Sequence, residues 1–222
     1  KMLKRFPLFT TVTLFQFAMG AVAIALLWLL RLCEFKRPTA KEIRAIYPLA
    51  IAHLLGNMFT NLSLRQMAVS FTHTIKASEP FFSVGISKIF IPGTAYHPLV
   101  YLSLVPIVLG VTVASVTEVS FNWVGFTTAM CSNVSFQSRN VLSKKFMKDV
   151  TMDNLNLFGW ISILSFLTLL PFNLILEAGP LVQTLSAAGG QSILTALVAC
   201  GFLHFLYNQF SYVVLAMVNP VT

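Results

Sequence analysis

The stretch Thr72-His73-Thr74-Ile75-Lys76-Ala77-Ser78-Glu79-Pro80 sets a lysine and a glutamate three residues apart inside an apolar run from about 69 to 91. The chemistry open to such a pair is electrostatic. Lys76 can bind an anion, and Glu79 either balances that lysine while the site is empty or forms a structural i, i+3 ion pair with it. Lys76 lies only about seven residues, roughly 10 Å, from the start of its run, so it can alternatively snorkel to an interface. Snorkelling, however, does not call for a carboxylate one turn further in. Pro80 removes a backbone bond beside the charged turn, either as a gate hinge or as an irregularity that neighbouring helices accommodate.

Neighbouring runs repeat the polar pattern. His53, Asn57 and Thr60 fall at i, i+4 and i+7 on one face of the preceding run, with Asn61 beside them, and Thr72, Lys76, Glu79 and Ser83 do the same in their own. A later run adds His204, Tyr207, Asn208 and Ser211. Such hydroxyls, amides and imidazoles can touch a substrate, yet they also pack helices together, and His53 and His204 read first as interhelical hydrogen-bond partners. No paired-carboxylate site, metal-spaced His/Cys set or Gly-rich phosphate loop accompanies them, so neither an enzyme, a metal nor a cofactor is indicated. Cys33, Cys131 and Cys200 are too far apart for a metal motif and odd in number for a disulfide framework; they read as core-filling thiols.

The elements that must carry these residues follow from composition. With 56 % hydrophobic residues, 10 % charged and a mean hydropathy of +0.79, the chain is unlike a soluble domain and reads as an all-α, polytopic membrane protein. Runs of about 20 apolar residues, enough to cross roughly 30 Å of hydrocarbon, occur at about 8–32, 45–66, 69–91, 98–116, 120–141, 154–176 and 191–218. The fifth is interrupted by Asn122, Ser132, Asn133, Ser135, Gln137 and Ser138, which argues that it faces protein or a cavity. A basic loop with Lys144, Lys145 and Lys148 follows it, and a Gly/Ala/Ser-rich linker spans Glu177 to Gly190.

The formal charge of +8 lies mostly in short segments between runs, the pattern of membrane topology and not of a nucleic-acid surface. Alternation puts loops 33–44 and 142–153 on one side, which the positive-inside rule assigns to the compartment of insertion. The opening Lys1-Met2-Leu3-Lys4-Arg5 leads into an apolar segment too long for a signal-peptide core.

An internal repeat is visible. His53-Leu54-Leu55-Gly56-Asn57-Met58-Phe59-Thr60 is echoed by His204-Phe205-Leu206-Tyr207-Asn208-Gln209-Phe210-Ser211, and Ala68-Val69-Ser70-Phe71-Thr72 by Met217-Val218-Asn219-Pro220-Val221-Thr222. The second copy stops at Thr222, before the position that would echo Lys76. Duplicated halves are common in transporters.

Three segments carry a more specific likeness: Ala68 to Lys76 followed by Glu79-Pro80-Phe81-Phe82-Ser83-Val84; Ser103-Leu104-Val105-Pro106-Ile107-Val108 with Ala114-Ser115-Val116-Thr117-Glu118; and Ser138-Arg139-Asn140-Val141-Leu142-Ser143-Lys144-Lys145. Here the chain resembles the plastidic phosphate translocators of the drug/metabolite transporter superfamily, along nearly its whole length. The resemblance implies ten helices in two inverted five-helix halves, of which the seven runs would be the second to eighth, with residues 1–118 most of the first half and 119–222 part of the second. It further implies exchange of phosphorylated metabolites for inorganic phosphate across the plastid inner envelope, with substrate held by Lys76, Thr60, Asn57, Tyr207 and a Lys-Arg pair that would lie beyond Thr222. Glu79, Arg139 and Pro80 are candidates for charge balance or gating.

Asn57 stands where the triose-phosphate members resemble one another in carrying histidine, and the run from Phe136 to Lys145 is similar to the phosphoenolpyruvate/phosphate translocators. Phosphoenolpyruvate is therefore the expected substrate, with triose phosphate or 3-phosphoglycerate next. The expected partners are inorganic phosphate, phosphorylated three-carbon metabolites and the lipid bilayer, without nucleic acid. A nucleotide-sugar or drug carrier of the same superfamily and a seven-helix receptor or channel are the rival readings.

Overall fold

The computed structural model describes residues 6–91, 93, 95–149, 152–186 and 190–217. Among them there are helices and no strands. In order these are α1 (Phe9–Leu29), α2 (Ala40–Gln66), α3 (Val69–Lys76), α4 (Glu79–Phe90), α5 (Pro98–Thr117), α6 (Trp123–Asp149), α7 (Asn154–Leu176), α8 (Ala178–Ser186) and α9 (Gly190–Met217).

Four of the helices, α1, α5, α7 and the Gly190–Leu215 part of α9, are long and apolar enough to cross a membrane on length and composition alone. Helices α2 and α6 have 27 residues each, about 40 Å at the helical rise, but carry polar side chains that they turn inward. His53, Asn57, Asn61 and Ser63 of α2 are buried, as are Ser132, Asn133, Gln137, Arg139 and Ser143 of α6. Helix α5, of mean hydropathy 2.3, is the converse, with only 11 % of its apolar stretch buried. Polar inside and apolar outside is the arrangement that a hydrocarbon solvent selects. The expectation that the fifth run faces protein holds for Ser132, Asn133 and Gln137. Asn122, by contrast, lies outside the helix, where its Oδ1 accepts from the backbone N–H groups of Val124 and Gly125 as a cap on α6.

The α2–α6 pairing is the most extensive in the fold, and α1 packs along both α7 and α9. The α1–α7 seam is close: a Cβ at Gly159 would overlap Ile24, so only glycine lets these backbones approach. Ile46 and Leu49 of α2, Leu157, Phe158 and Ile161 of α7 and Tyr212 of α9 form the largest buried apolar cluster.

At one end, Trp28 Nε1 donates to Asn156 Oδ1 (3.0 Å), Asn156 Nδ2 to the Glu34 carbonyl (2.9 Å) and Trp160 Nε1 to the Lys36 carbonyl (3.0 Å). The connection after α1 is thereby tied to the start of α7. There, burial and the nearby Asp153 carboxylate push the Cys33 thiol up from its ordinary value.

Several expected boundaries shift. Helix α2 starts at Ala40 instead of about 45, because Thr39 and Glu42 form a capping box: Thr39 Oγ1 accepts from Glu42 N (3.3 Å) and Glu42 Oε2 from Thr39 N (2.6 Å). Helix α6 continues to Asp149, so Lys144, Lys145 and Lys148 lie in its last turns and not in a loop. The linker expected at 177–190 contains α8, while 187–189 lie outside the described residues. The run 69–91 is two helices, broken at Ala77 and Ser78, where Ser78 Oγ donates to the Ile75 carbonyl at 2.7 Å. Pro80 accordingly sits in the first turn of α4, where its missing N–H removes no helical bond, and not in mid-helix.

Candidate functional site

A cavity of about 320 Å³ opens between α1, α2, the α3–α4 break, α6 and α9. It gathers Asn57 and Thr60 from α2, Lys76 and Glu79 from either side of the break, and Tyr207 from α9, which spacing had singled out, together with Arg139 from α6, a candidate named only with the resemblance. His204, Asn208 and Ser211 also line it, as do Gln16, Asn61, His73, Phe136 and Asn140. A larger hollow of about 480 Å³ on α4, α5 and α6 is walled mostly by apolar groups such as Phe81, Phe82 and Trp123 and presents no ionic group.

Lys76 ends α3, and its Nζ lies 2.9 Å from Glu79 Oε1 at the start of α4. The ammonium also donates to Ser132 Oγ at 3.3 Å and sits 4.6 Å from the centre of the Phe136 ring. Ser132 Oγ is in turn 2.6 Å from Thr60 Oγ1 and 3.0 Å from the Gly56 carbonyl, to which Thr60 also donates at 2.9 Å. Two hydroxyl protons thus serve three contacts. Either hydroxyl can satisfy Gly56, leaving the other free to turn toward a ligand oxygen.

Arg139 also contacts Phe136, its guanidinium carbon 4.9 Å from the centre of the same ring. Nη1 donates to His53 Nδ1 (2.6 Å) and Asn208 Oδ1 (3.0 Å), while Nε and Nη2 donate to Asn140 Oδ1 (3.2 and 2.9 Å). Among the described residues, these hydrogen-bond partners are neutral. The cavity lining thus holds Lys76 and Arg139 against the carboxylate of Glu79, an excess of positive charge among the described residues.

The repeat seen in the sequence meets itself here. His53 and His204 lie with ring centres 5.9 Å apart, and His204 Nε2 is 2.8 Å from Asn57 Oδ1. Asn57 Nδ2 donates to the His53 carbonyl at 2.8 Å, as Asn208 Nδ2 does to the His204 carbonyl at 3.0 Å. The two histidines are interhelical partners as expected. Asn57 is more constrained than its spacing implied, since its amide N–H groups turn to His53 and its carbonyl to His204. Thr72, placed by periodicity on the lysine face, is buried instead against Ser63 (Oγ1–Oγ 3.1 Å). Tyr207 is 70 % exposed and borders the cavity.

Gln16 was not foreseen. Its Oε1 accepts from Asn61 Nδ2 at 3.1 Å, joining α1 to α2; a lone glutamine in an apolar run was the available signal. The contact of Gln137 Nε2 with Glu79 Oε2 at 3.0 Å was likewise not predictable from periodicity.

The chain is 47 % identical over 227 positions to the phosphoenolpyruvate/phosphate translocator 1, chloroplastic, of Oryza sativa subsp. japonica, covering 100 % of this chain and 55 % of that protein. It is 48 % identical over 217 positions to the triose phosphate/phosphate translocator, non-green plastid, chloroplastic, of Brassica oleracea var. botrytis, covering 96 % and 54 %. The chain thus spans about half the length of these relatives. A solved crystal structure with 16 % identity matches 92 % of this chain and 70 % of its own with a TM-score of 0.58, a likeness of fold. The model of the Triose-phosphate Transporter family matches residues 1–222, and the chain belongs to that family.

Proposed function

We propose that the chain is the larger part of an antiporter that exchanges phosphoenolpyruvate for inorganic phosphate across the plastid inner envelope by alternating access. The observation that carries this reading is the charge balance of the cavity: Lys76 and Arg139, both against the Phe136 ring, share its lining with the carboxylate of Glu79. A buried cationic excess is costly in a membrane interior and favours a small multivalent anion. The names of the relatives, phosphate translocators of plastids, support the same substrate class and location.

In this mechanism the phosphate draws Lys76 from Glu79 and takes a hydrogen bond from Thr60, while Tyr207 and the Asn57 carbonyl border the rest of the substrate. A ligand moves a carrier only by binding one state better than another. The empty site, with its cation unneutralised, resists occlusion, so return without substrate is disfavoured and exchange becomes obligatory. Residues 1–118 and 119–222 would belong to two inverted halves, with the helices bearing His53 and His204 crossing in opposite directions. Single cysteines at the ends of α2 and α9 test this by the side from which each is labelled; the same direction for both would refute it.

Liposomes carrying the full-length protein and loaded with phosphate are expected to take up labelled phosphoenolpyruvate, and unloaded ones are not. Equal uptake in both sinks obligatory exchange, and failure of phosphate to compete sinks the phosphate reading in favour of a nucleotide-sugar or drug carrier. The 48 % identity to a triose phosphate/phosphate translocator supports a second reading, in which triose phosphate outcompetes phosphoenolpyruvate in the same assay.

A further inference from the structure

One face of α6 holds both ends of the α3–α4 break. Ser132 Oγ accepts from Lys76 Nζ on the α3 side. Asn133 Nδ2 donates to the Ile75 carbonyl and to Ser78 Oγ, both at 3.1 Å, across the break itself. Gln137 Nε2 donates to Glu79 Oε2 at 3.0 Å on the α4 side. The orientation of the Gln137 amide follows from chemistry, because a carboxylate oxygen accepts and only the nitrogen can donate to it.

The two oxygens of Glu79 are therefore divided between partners: Oε1 faces Lys76 at 2.9 Å and Oε2 faces Gln137. Gln137 is buried, and the lysine and glutamate side chains are 14 % and 32 % exposed, so the amide is not readily replaced by water. A carboxylate with a second donor leans less on its cation. When an anion draws Lys76 away, that donor also keeps Glu79 from standing wholly unpaired beside the incoming charge.

We propose that Gln137 is a positioning residue for anion capture. By holding Oε2 of Glu79 it sets how tightly Oε1 retains Lys76, and so how readily the lysine passes to an arriving phosphate. The inference rests on reading the cavity as a phosphate site. Gln137 acts through Glu79 and Lys76, and it need not touch the phosphate. Its effect must consequently depend on the charge of Glu79, which a purely structural packing role does not require.

A double-mutant cycle in the full-length protein tests this with two readouts, the thermal unfolding midpoint and phosphate/phosphate exchange in liposomes. Gln137→Met keeps the length of the side chain and removes the donor. It is expected to raise KM for phosphate about tenfold, the weight of one lost hydrogen bond to a charged group, with kcat changed less than twofold, and to lower the unfolding midpoint. In a Glu79→Gln background, where the acceptor is neutral and the hydrogen bond about half as strong, the same substitution is expected to change both readouts clearly less. Should Gln137→Met alone fail to assemble, the Glu79→Gln, Gln137→Met double variant must assemble.

Equal effects of Gln137→Met in both backgrounds, or none in either, would overturn the proposal. A parent protein that shows the coupling in its unfolding midpoint but exchanges no phosphate would instead refute the phosphate reading, leaving Gln137 as the residue that governs the Lys76–Glu79 pair.

Discussion

Arg139 donates from Nη1 to Nδ1 of His53 at 2.6 Å, and this contact fixes the state of both residues. A nitrogen that accepts from a guanidinium carries no proton, so His53 is neutral with its proton on Nε2. The arginine then has no anion to offset it among the described residues, only His53, Asn208, Asn140 and the rings of Phe136 and Tyr212. Such a charge is held in place by neutral groups.

Arg139→Gln is expected to lower kcat/KM for phosphate exchange by about 100-fold or more, as loss of a buried charge partner usually does. Arg139→Lys keeps the charge but lacks the planar fork that reaches His53, Asn208 and Asn140 together, and should lose about tenfold. Transport assays on both variants, checked for folding, decide the matter. Unaltered exchange by Arg139→Gln would make the residue a structural rivet. By the same logic Lys76→Ala should abolish uptake in a protein that still folds, and normal exchange by it would return Lys76 to a snorkelling role.

Gly56 packs against the ring that both cations contact. A Cβ at Gly56 would lie 2.9 to 3.0 Å from three atoms of the Phe136 ring, and Lys76 and Arg139 each lie within 5 Å of the centre of that ring. Gly56→Ala must therefore displace the ring or part α2 from α6. Overpacking of this kind costs about 1–3 kcal/mol, so the variant is expected to unfold at lower temperature and to bind phosphate more weakly. Gly85→Ala, where a Cβ meets nothing within 4 Å, serves as the control. Equal behaviour of the two variants counts against this packing role.

Much of the site was legible in the sequence because a helix puts i, i+4 and i+7 on one face: Asn57, Thr60 and Lys76 do converge on one cavity. Contacts between distant helices were not. Ser132 meets Lys76, and Gln137 meets Glu79, only because α6 turns one particular face to the α3–α4 break, and periodicity within a single run cannot specify that rotation. The break itself was half visible. Pro80 signalled an irregularity, yet the helix had already ended at Lys76, so the proline lies in a new first turn. Helix ends were misread wherever charges sit inside a terminal turn, as at Glu42 and Lys145; charge marked the interface and not the end of the helix.

The capping box at the start of α2 makes a pH prediction. Hydrogen bonds from Thr39, chiefly its backbone N–H and then its side chain, hold the Glu42 carboxyl below the usual range. A folded value below the unfolded one means that the stabilisation is fully present above the unfolded value of about 4.3 and is lost as pH falls through the folded value. Glu42→Gln should therefore lower the unfolding midpoint near neutral pH, and the gap to the parent should close below about pH 4. A gap of constant size across that range would show that the charge contributes nothing.

Asn57 is the position at which selectivity among phosphorylated substrates is expected to change. Its carbonyl takes the proton of His204 Nε2 at 2.8 Å and its amide donates to the His53 carbonyl at 2.8 Å, so both histidines hold the side chain at the cavity wall. Asn57→His cannot reproduce both bonds and, on the proposed reading, places an imidazole toward the non-phosphate end of a substrate. One gained or lost polar contact of this sort is worth about 1.4 kcal/mol, or tenfold. The ratio of kcat/KM for phosphoenolpyruvate to that for 3-phosphoglycerate should accordingly fall about tenfold, while phosphate, proposed to occupy only the Lys76 and Arg139 end, should be exchanged at a similar rate. Competition of the three against labelled phosphate measures all of these at once. If affinity fell equally for all three, Asn57 would be a packing residue of the His53–His204 cluster and the discrimination would lie elsewhere in the cavity.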